Sequence, residues 1–197
     1  MHTHTSLDHH PHAPGRSGRL GLHLRERWPA VLGLLALLIN VVNGADPHVT
    51  AMIIVIASVC YLAASAIGTG WSGWAMVAVA SVAVVSARLL GLDVTVTLLV
   101  LGVGFVVLGL LRGRGVDRRE FGAQALAFVG FSALAITAMM ADPILALYLA
   151  ALAAIGHAAW DTVYSARGTV VPKSLAEACF LLDLGLGIAL ILLATLS

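Results

Sequence analysis

Charged side chains are scarce in this sequence, since they make up 11% of its 197 residues while hydrophobic residues make up 60%. A soluble domain carries about a quarter charged residues, so the composition excludes an ordinary soluble fold. The net charge of +1 gives no reason to expect nucleic acid as a partner. Lysine occurs once, at Lys173, ahead of the last apolar segment. A retinal Schiff base, which needs a lysine within that segment, is therefore excluded.

Motifs for cofactors and redox chemistry are also missing. The two cysteines, Cys60 and Cys179, lie in apolar runs without CxxC spacing, which predicts buried free thiols. Glycine-rich phosphate loops are absent. A bis-histidine haem is excluded because His48 and His157 fall at opposite faces of the membrane in the topology given below. We expect no cofactor.

Long apolar segments fill everything after Trp28, and each has roughly 17 to 23 residues. Such a segment crosses a hydrocarbon core of about 30 Å as a helix. The sequence therefore predicts an all-α, polytopic transmembrane helical bundle over residues 28–197. Its seven spans are 28–44, 49–68, 71–90, 94–111, 121–140, 143–160 and 174–196.

The basic residues orient these spans. With the N-terminus in the cytoplasm, ten of the eleven basic residues face the cytoplasm and only Arg88 lies near the outer side, as the positive-inside rule requires. The excess of arginine over lysine and the abundance of alanine are typical of a GC-rich bacterial genome. We therefore expect a multi-pass protein of the bacterial inner membrane with its C-terminus outside. VVNGA after the first span resembles a signal-peptidase site, but the preceding tail is long for a signal, so a retained span is expected.

Residues 1–27 form a polar, histidine-rich tail that is too poor in apolar residues to fold alone. We expect a disordered cytoplasmic segment. Histidine-rich tracts also bind zinc, nickel or copper, so weak metal binding by the tail stays open. The candidate ligands are His2, His4, His9, His10 and His12.

Three turns on the outer side share an aspartate at similar spacing, namely Asp46, Asp93 and Asp142. Each joins two apolar segments, and each suits the N-cap of the following helix. Spans 1–2, 3–4 and 5–6 are therefore interpreted as three repeated helical hairpins plus one helix, an arrangement known in membrane transporters. The alternative is that the same turn chemistry arose independently at each place.

Four ionisable residues lie in and around the last two spans: His157, Asp161, Glu177 and Asp183. His157 and Asp161 are four residues apart, so they share a helix face and are expected to pair. Counted from the predicted span ends at about 1.5 Å per residue, His157 and Glu177 lie about 5 Å deep and Asp183 about 14 Å deep, near the midplane. Glu177 and Asp183 are about 120° apart around the helix, which argues against one small ligand meeting both.

Asp183 is the residue that most needs an explanation, because an aspartate at the midplane costs about 3 kcal/mol if it faces lipid. We expect it to face the interior of the bundle, as part of an ion or proton pathway or as a structural contact between helices. Its expected hydrogen-bond partners are Asn40 or Ser81. The central polar layer comprises Asn40, Ser58, Ser81, Ser132 and Tyr148. Glu177 has a structural explanation of its own, since Ser174 three residues earlier matches a capping box.

The C-terminal stretch resembles that of uncharacterised bacterial multi-pass integral membrane proteins. The resemblance covers about 30 residues, with the pattern H-x-x-W-D, a basic loop with V-V, and A-E-x-C-x-x-L-D. The matching residues are His157, Trp160, Asp161, Val170, Val171, Ala176, Glu177, Cys179, Leu182 and Asp183. It implies no activity.

Three classes of function stay open. In the first, the protein transports a small solute or ion, linked to a proton or cation through Asp183, with His157, Asp161 and Glu177 at the inner gate. Asn40, Ser81, Ser132 and Tyr148 then form the supporting layer. In the second, it is a non-catalytic membrane scaffold or assembly partner whose polar residues only hold helices together.

The third and least favoured class is a membrane enzyme, and we assign no catalytic residue. GWSG around Ser72 resembles the G-x-S-G of rhomboid intramembrane proteases, which would pair Ser72 with His157 in a hydrolase. Alternatively, His157, Asp161 and Glu177 supply the minimum number of ligands for a zinc enzyme. The expected partners are the lipid bilayer and a small solute or cation, with no nucleic acid, and a homo-oligomer stays open.

Overall fold

The computed structural model describes residues 27–196, which contain seven α-helices and no strand. The helices run over Trp28–Val42 (α1), Pro47–Ile67 (α2), Ser72–Leu89 (α3), Val94–Arg112 (α4), Arg118–Met140 (α5), Pro143–Arg167 (α6) and Lys173–Leu196 (α7). A short 3₁₀ turn, Gly113–Gly115, joins α4 to α5. The predicted all-α transmembrane bundle is confirmed. The tail, including its histidines, lies outside the described residues.

Six of the seven helices, α2 to α7, are long and apolar enough to cross a membrane. The first helix is apolar but has only 15 residues, which at about 1.5 Å per residue is shorter than a hydrocarbon core of about 30 Å. The first predicted span therefore forms as a helix but falls short of membrane-crossing length.

Helix α2 is the centre of the bundle. It packs against α3, α4, α5 and α6, while α6 pairs closely with α7 and α1 lies against α7. Both α2 and α6 bury many alanines, and such small side chains let helix backbones approach closely within a membrane. The residues that α2 and α6 bury therefore lie deep between other helices, whereas the outward faces of α1, α3 and α4 carry exposed leucine and valine suited to lipid.

The predicted span limits agree with the observed helices to within three residues everywhere except at the end of the sixth span. That span was predicted to end at Trp160, but α6 continues to Arg167. The last two turns contain Asp161, Thr162 and Tyr164, whose polarity ended the apolar segment in the sequence without ending the helix.

The three turn aspartates act as the sequence predicts. Each carboxylate accepts a hydrogen bond from the backbone N–H three residues later: Asp46 from Val49 at 2.9 Å, Asp93 from Val96 at 2.8 Å and Asp142 from Leu145 at 3.2 Å. They therefore satisfy N–H groups that begin α2, α4 and α6. Asp117 caps α5 in the same way at the other end of the bundle. Aspartate capping is therefore not a property of the three hairpin turns alone, since it also begins α5.

Substituting Asp142 with alanine is expected to lower the free energy of unfolding by about 1 kcal/mol, because the first turn of α6 loses its side-chain acceptor. The matched variant Asp142→Asn should stay close to the parent, since asparagine caps as well as aspartate. Thermal unfolding in detergent micelles measures both. Equal losses for the two variants would show that the charge of Asp142, and not its hydrogen bond, matters.

Basic residues collect at one end of the bundle, which we call the basic end. It contains Arg112, Arg118, Arg167 and Lys173, at the ends or beginnings of α4 to α7. The Arg112 guanidinium donates to the backbone oxygen of Ile67 at 3.2 Å, which ties the end of α4 to the end of α2. The basic end therefore marks one boundary of the bundle, at which α2, α4 and α6 end and α3, α5 and α7 begin.

Candidate functional site

Three ionisable residues from the sequence-predicted set meet inside the bundle. His157 and Asp161 of α6 and Asp183 of α7 are each at most 1% exposed. Ligand atoms of all three lie within 4.8 Å of one another. We call this group the His–Asp–Asp cluster.

One imidazole nitrogen stands between the two carboxylates. His157 Nδ1 lies 2.8 Å from Asp183 Oδ2 and 3.4 Å from Asp161 Oδ2. When Nδ1 carries the imidazole proton it donates that hydrogen bond to Asp183. The Tyr61 hydroxyl of α2 donates to Asp161 Oδ1 at 2.6 Å. The cluster therefore connects α2, α6 and α7.

The cluster retains polar atoms without partners. His157 Nε2, Asp161 Oδ2 and Asp183 Oδ1 are buried and have no hydrogen-bond partner. Aromatic rings enclose the imidazole: the ring centroids of Tyr61 and Phe131 lie 5.6 Å and 5.1 Å from it, both edge-on. A buried polar atom without a partner costs about 1–3 kcal/mol. These three atoms are therefore free to bind a proton, a cation or another hydrogen-bonding group.

The depth expected for His157 was wrong. It lies ten residues before the end of α6 at Arg167, and Asp183 lies ten residues after the start of α7 at Lys173. At about 1.5 Å per residue, both are about 15 Å from the basic end. The prediction counted from Trp160, where the apolar segment ends, and so placed His157 too shallow. The two residues share one level, which permits their hydrogen bond.

The partners expected for Asp183 were also wrong. Asn40 donates to the Ala36 backbone oxygen at 2.9 Å, and Ser81, which is exposed, donates to the Val77 backbone oxygen at 2.8 Å. Both satisfy themselves within their own helices. Tyr148 is 44% exposed, and the Ser132 hydroxyl is buried without a partner. Among the described residues, none of these four is hydrogen-bonded to Asp183.

Glu177 lies outside the cluster, in an open cleft of about 480 Å³ between α6 and α7 near the basic end. Asp161 lines the same cleft, although its side chain is fully buried, so the cleft ends at the cluster. The side chains of Glu177 and Lys173 make no hydrogen bond or ion pair with any described residue. Ser174 is the second residue of α7 and accepts from the Trp74 indole at 3.0 Å. It is therefore not the N-cap that the capping-box explanation of Glu177 required.

Contacts continue from the cluster towards the basic end. The rings of Tyr61 and Tyr164 meet edge-on with centroids 5.8 Å apart. The Tyr164 hydroxyl donates to Glu120 Oε2 at 3.0 Å, and Glu120 also pairs with Arg167. Sequence reasoning missed Tyr61, Tyr164 and Glu120. Tyr61 lies six residues before the end of α2, as Asp161 lies six residues before the end of α6. The sequence did not reveal this shared level, because the sixth span was predicted to end at Trp160.

The hydrolase pairing is not formed. Ser72 begins α3 and its hydroxyl donates to the Thr69 backbone oxygen. His157 Nδ1 is hydrogen-bonded to Asp183, and its Nε2 has no partner. Ser72 is therefore not hydrogen-bonded to His157. The zinc ligands proposed from the sequence are also not the ones that come together. Asp183, and not Glu177, lies beside His157 and Asp161.

Comparison with known proteins finds no matching family model, no similar curated protein and no similar solved structure. The function therefore has to be argued from the cluster and its surroundings.

Proposed function

We propose that this protein binds a cation or protons at the His–Asp–Asp cluster and uses that binding to move a small solute or ion across the membrane. The observation that carries the proposal is the cluster itself: two carboxyls and one imidazole inside an apolar bundle, with three buried polar atoms left without partners. Such intramembrane ionisable groups usually mark ion or proton pathways.

The negative charge of the cluster favours binding of a proton or cation from outside the protein. Two ionised carboxylates would carry two negative charges, and a protonated imidazole would supply only one positive charge. No arginine or lysine among the described side chains forms an ion pair with the cluster. An uncompensated buried charge costs several kcal/mol. Protons or cations entering from outside would balance the charge.

The cleft between α6 and α7 supports a route to the cluster. Glu177 and Lys173 line the cleft, and Asp161 closes its inner end. We place the basic end in the cytoplasm because positive residues favour that side, in a bacterial inner membrane with the C-terminus outside. The cleft then opens to the cytoplasm, and Glu177 takes the role of an entry group ahead of Asp161.

The proposed repeat has mixed support. The caps of α2, α4 and α6 are alike, and both Thr50 and Thr97 donate to the backbone oxygen of the capping aspartate four residues earlier. Helices α3 and α4 pack together, as do α5 and α6, but α1 lies against α7. We therefore propose a common origin for the three hairpins, in which the second and third keep their paired helices and the α1 helix of the first packs against α7.

A scaffold is the second candidate, favoured by one specific observation. Hydrogen bonds of the cluster connect α2, α6 and α7, and each of its side chains is closed to solvent. Interhelical hydrogen bonds of this kind stabilise membrane bundles by about 1 kcal/mol each. In that role the cluster would hold helices together and bind nothing.

The test is Asp183→Asn in proteoliposomes. Asparagine keeps the size of the side chain and a hydrogen bond to His157 but removes the carboxylate. We expect flux of cations, or of solute driven by a pH gradient, to fall to that of empty vesicles. Asp93→Asn is the matched control, because it makes the same substitution at an exposed cap far from the cluster. Unchanged flux in the Asp183 variant would reject transport and leave the scaffold.

A further inference from the structure

We infer that the His–Asp–Asp cluster is a site for one divalent first-row transition-metal cation, with His157, Asp161 and Asp183 as its ligands. The three residues offer one imidazole nitrogen and two carboxylate oxygens within 4.8 Å of one another, all buried. Asp161 Oδ2 has no hydrogen-bond partner, and Asp183 has an unpartnered Oδ1 beside the Oδ2 that faces His157. Both carboxylates therefore retain acceptor capacity for a cation.

The spacing fits a metal with short bonds. Ligands bound tetrahedrally at about 2.0–2.1 Å lie about 3.3 Å from one another. His157 Nδ1 and Asp161 Oδ2 are already 3.4 Å apart. The Nδ1–Asp183 Oδ2 distance of 2.8 Å is a hydrogen bond, so it must widen by about 0.5 Å when a metal of this size replaces the bridging hydrogen.

The ligand types select the class of metal. Imidazole suits zinc, copper, iron and nickel, whereas magnesium and calcium prefer sets made of oxygen alone. The charges select a divalent ion, because a neutral imidazole with two carboxylates carries two negative charges. A monovalent cation would leave one of these uncompensated in the apolar interior. Three protein ligands also leave one coordination position open, as in zinc sites that exchange a ligand.

Tyr61 holds one of the three ligands in place. Its hydroxyl holds Asp161 Oδ1 at 2.6 Å, which leaves Oδ2 of the same carboxylate directed to His157. Groups that orient a metal-binding carboxylate are part of the site, and removing one typically costs about 10–100-fold in affinity. Tyr61 is therefore a positioning residue with a predicted effect of its own.

This inference deepens the proposed transport and rests on it for the biological role of the metal. Binding is nevertheless measured without flux. A protein that binds the metal but carries no flux would retain the site and lose transport. A protein whose flux needs Asp183 but which binds no metal would retain transport and overturn the site.

The experiment uses Co²⁺ as the probe, because its visible absorption reports the ligand geometry. The experiment uses the whole chain in detergent, with His2→Gln, His4→Gln, His9→Gln, His10→Gln, His12→Gln and His23→Gln, so that no histidine of the tail contributes to the signal. After treatment with a chelator, we expect one Co²⁺ per chain with the absorption of a four-coordinate nitrogen–oxygen site, and Zn²⁺ should displace it.

Variants decide the outcome. Asp183→Asn and Asp161→Asn should each weaken Co²⁺ binding more than tenfold and change the spectrum, and Tyr61→Phe should weaken it by about 10–100-fold. Asp93→Asn, at an exposed cap, should bind as the parent does. Unfolding curves of all variants confirm that each one is folded. Equal Co²⁺ binding by parent and Asp183→Asn, or no binding by the folded parent, would overturn the assignment.

Discussion

Replacing His157 with leucine is expected to lower the free energy of unfolding by about 3–5 kcal/mol. Leucine has a similar volume, so the loss is electrostatic rather than a matter of packing. Asp183 and Asp161 would remain buried without the nitrogen that lies 2.8 Å and 3.4 Å from them. Removing one partner of a buried pair costs more than the pair itself contributes, because the other partner remains desolvated. The Tyr61 hydroxyl would still donate a hydrogen bond to Asp161, but it makes none to Asp183.

The chain supplies its own reporter for this measurement. Cys60 is a free thiol that is 1% exposed, so a thiol-reactive fluorogenic dye labels it when the bundle opens. Cys179 is half-buried, and alanine at that position in every variant leaves Cys60 as the single thiol. The midpoint of thermal unfolding in detergent micelles should then fall sharply for His157→Leu.

Two controls separate the mechanism from a general effect of losing histidine. His48 lies 3.8 Å from Asp46, with both side chains more than half exposed, and His48→Leu should change stability by no more than about 1 kcal/mol. The double variant His157→Leu/Asp183→Leu removes both partners and should recover part of the loss. A single His157→Leu variant as stable as the parent would show that the cluster is not the tightly coupled group described here.

The second large effect is expected at Gly33, where α1 meets α7. A Cβ at this position would fall on the backbone oxygen of Ala178, well inside van der Waals contact. A backbone atom cannot turn aside as a side chain does, so Gly33→Ala has to push α1 away from α7. Overpacking of this kind costs about 1–3 kcal/mol. The displacement would also separate Leu37 from Gly185, which it covers four residues further along α1.

Gly104→Ala is the matched control. Gly104 lies in the middle of α4, and nothing lies within 4 Å of a Cβ added there. Alanine is favoured over glycine within a helix by about 1 kcal/mol, so this variant should equal or exceed the parent in stability. The same dye assay measures both. If Gly33→Ala unfolded no earlier than Gly104→Ala, α1 would not be held against α7 at this contact.

The helices were predictable because their signals are local. Apolar segments of membrane length give the helices, and Asp46, Asp93 and Asp142 give the turns, since a cap requires only the next three residues. The arginines lie in alternate turns of the sequence, and successive helices run in opposite directions, so these turns meet at one end of the bundle. The end of α6 was mispredicted because Asp161, Thr162 and Tyr164 end the apolar run. The helix continues because Tyr61 of α2 and Glu120 of α5 hydrogen-bond to Asp161 and Tyr164, while Thr162 donates to the Ala158 backbone oxygen within α6.

Sequence alone brought His157 and Asp161 onto one face, because residues four apart are neighbours on any helix. It also marked Asp183 as a residue that needs a partner, because of its apolar surroundings. Only the tertiary structure brought the His157–Asp161 pair of α6 together with Asp183 of α7. The rotation of α7 about its axis places Asp183 beside His157, and the packing of α2 brings Tyr61 to Asp161. Those rotations are set by small-residue contacts such as Gly187 against Ala151 and Ile155, and helical periodicity in one segment carries no information about them.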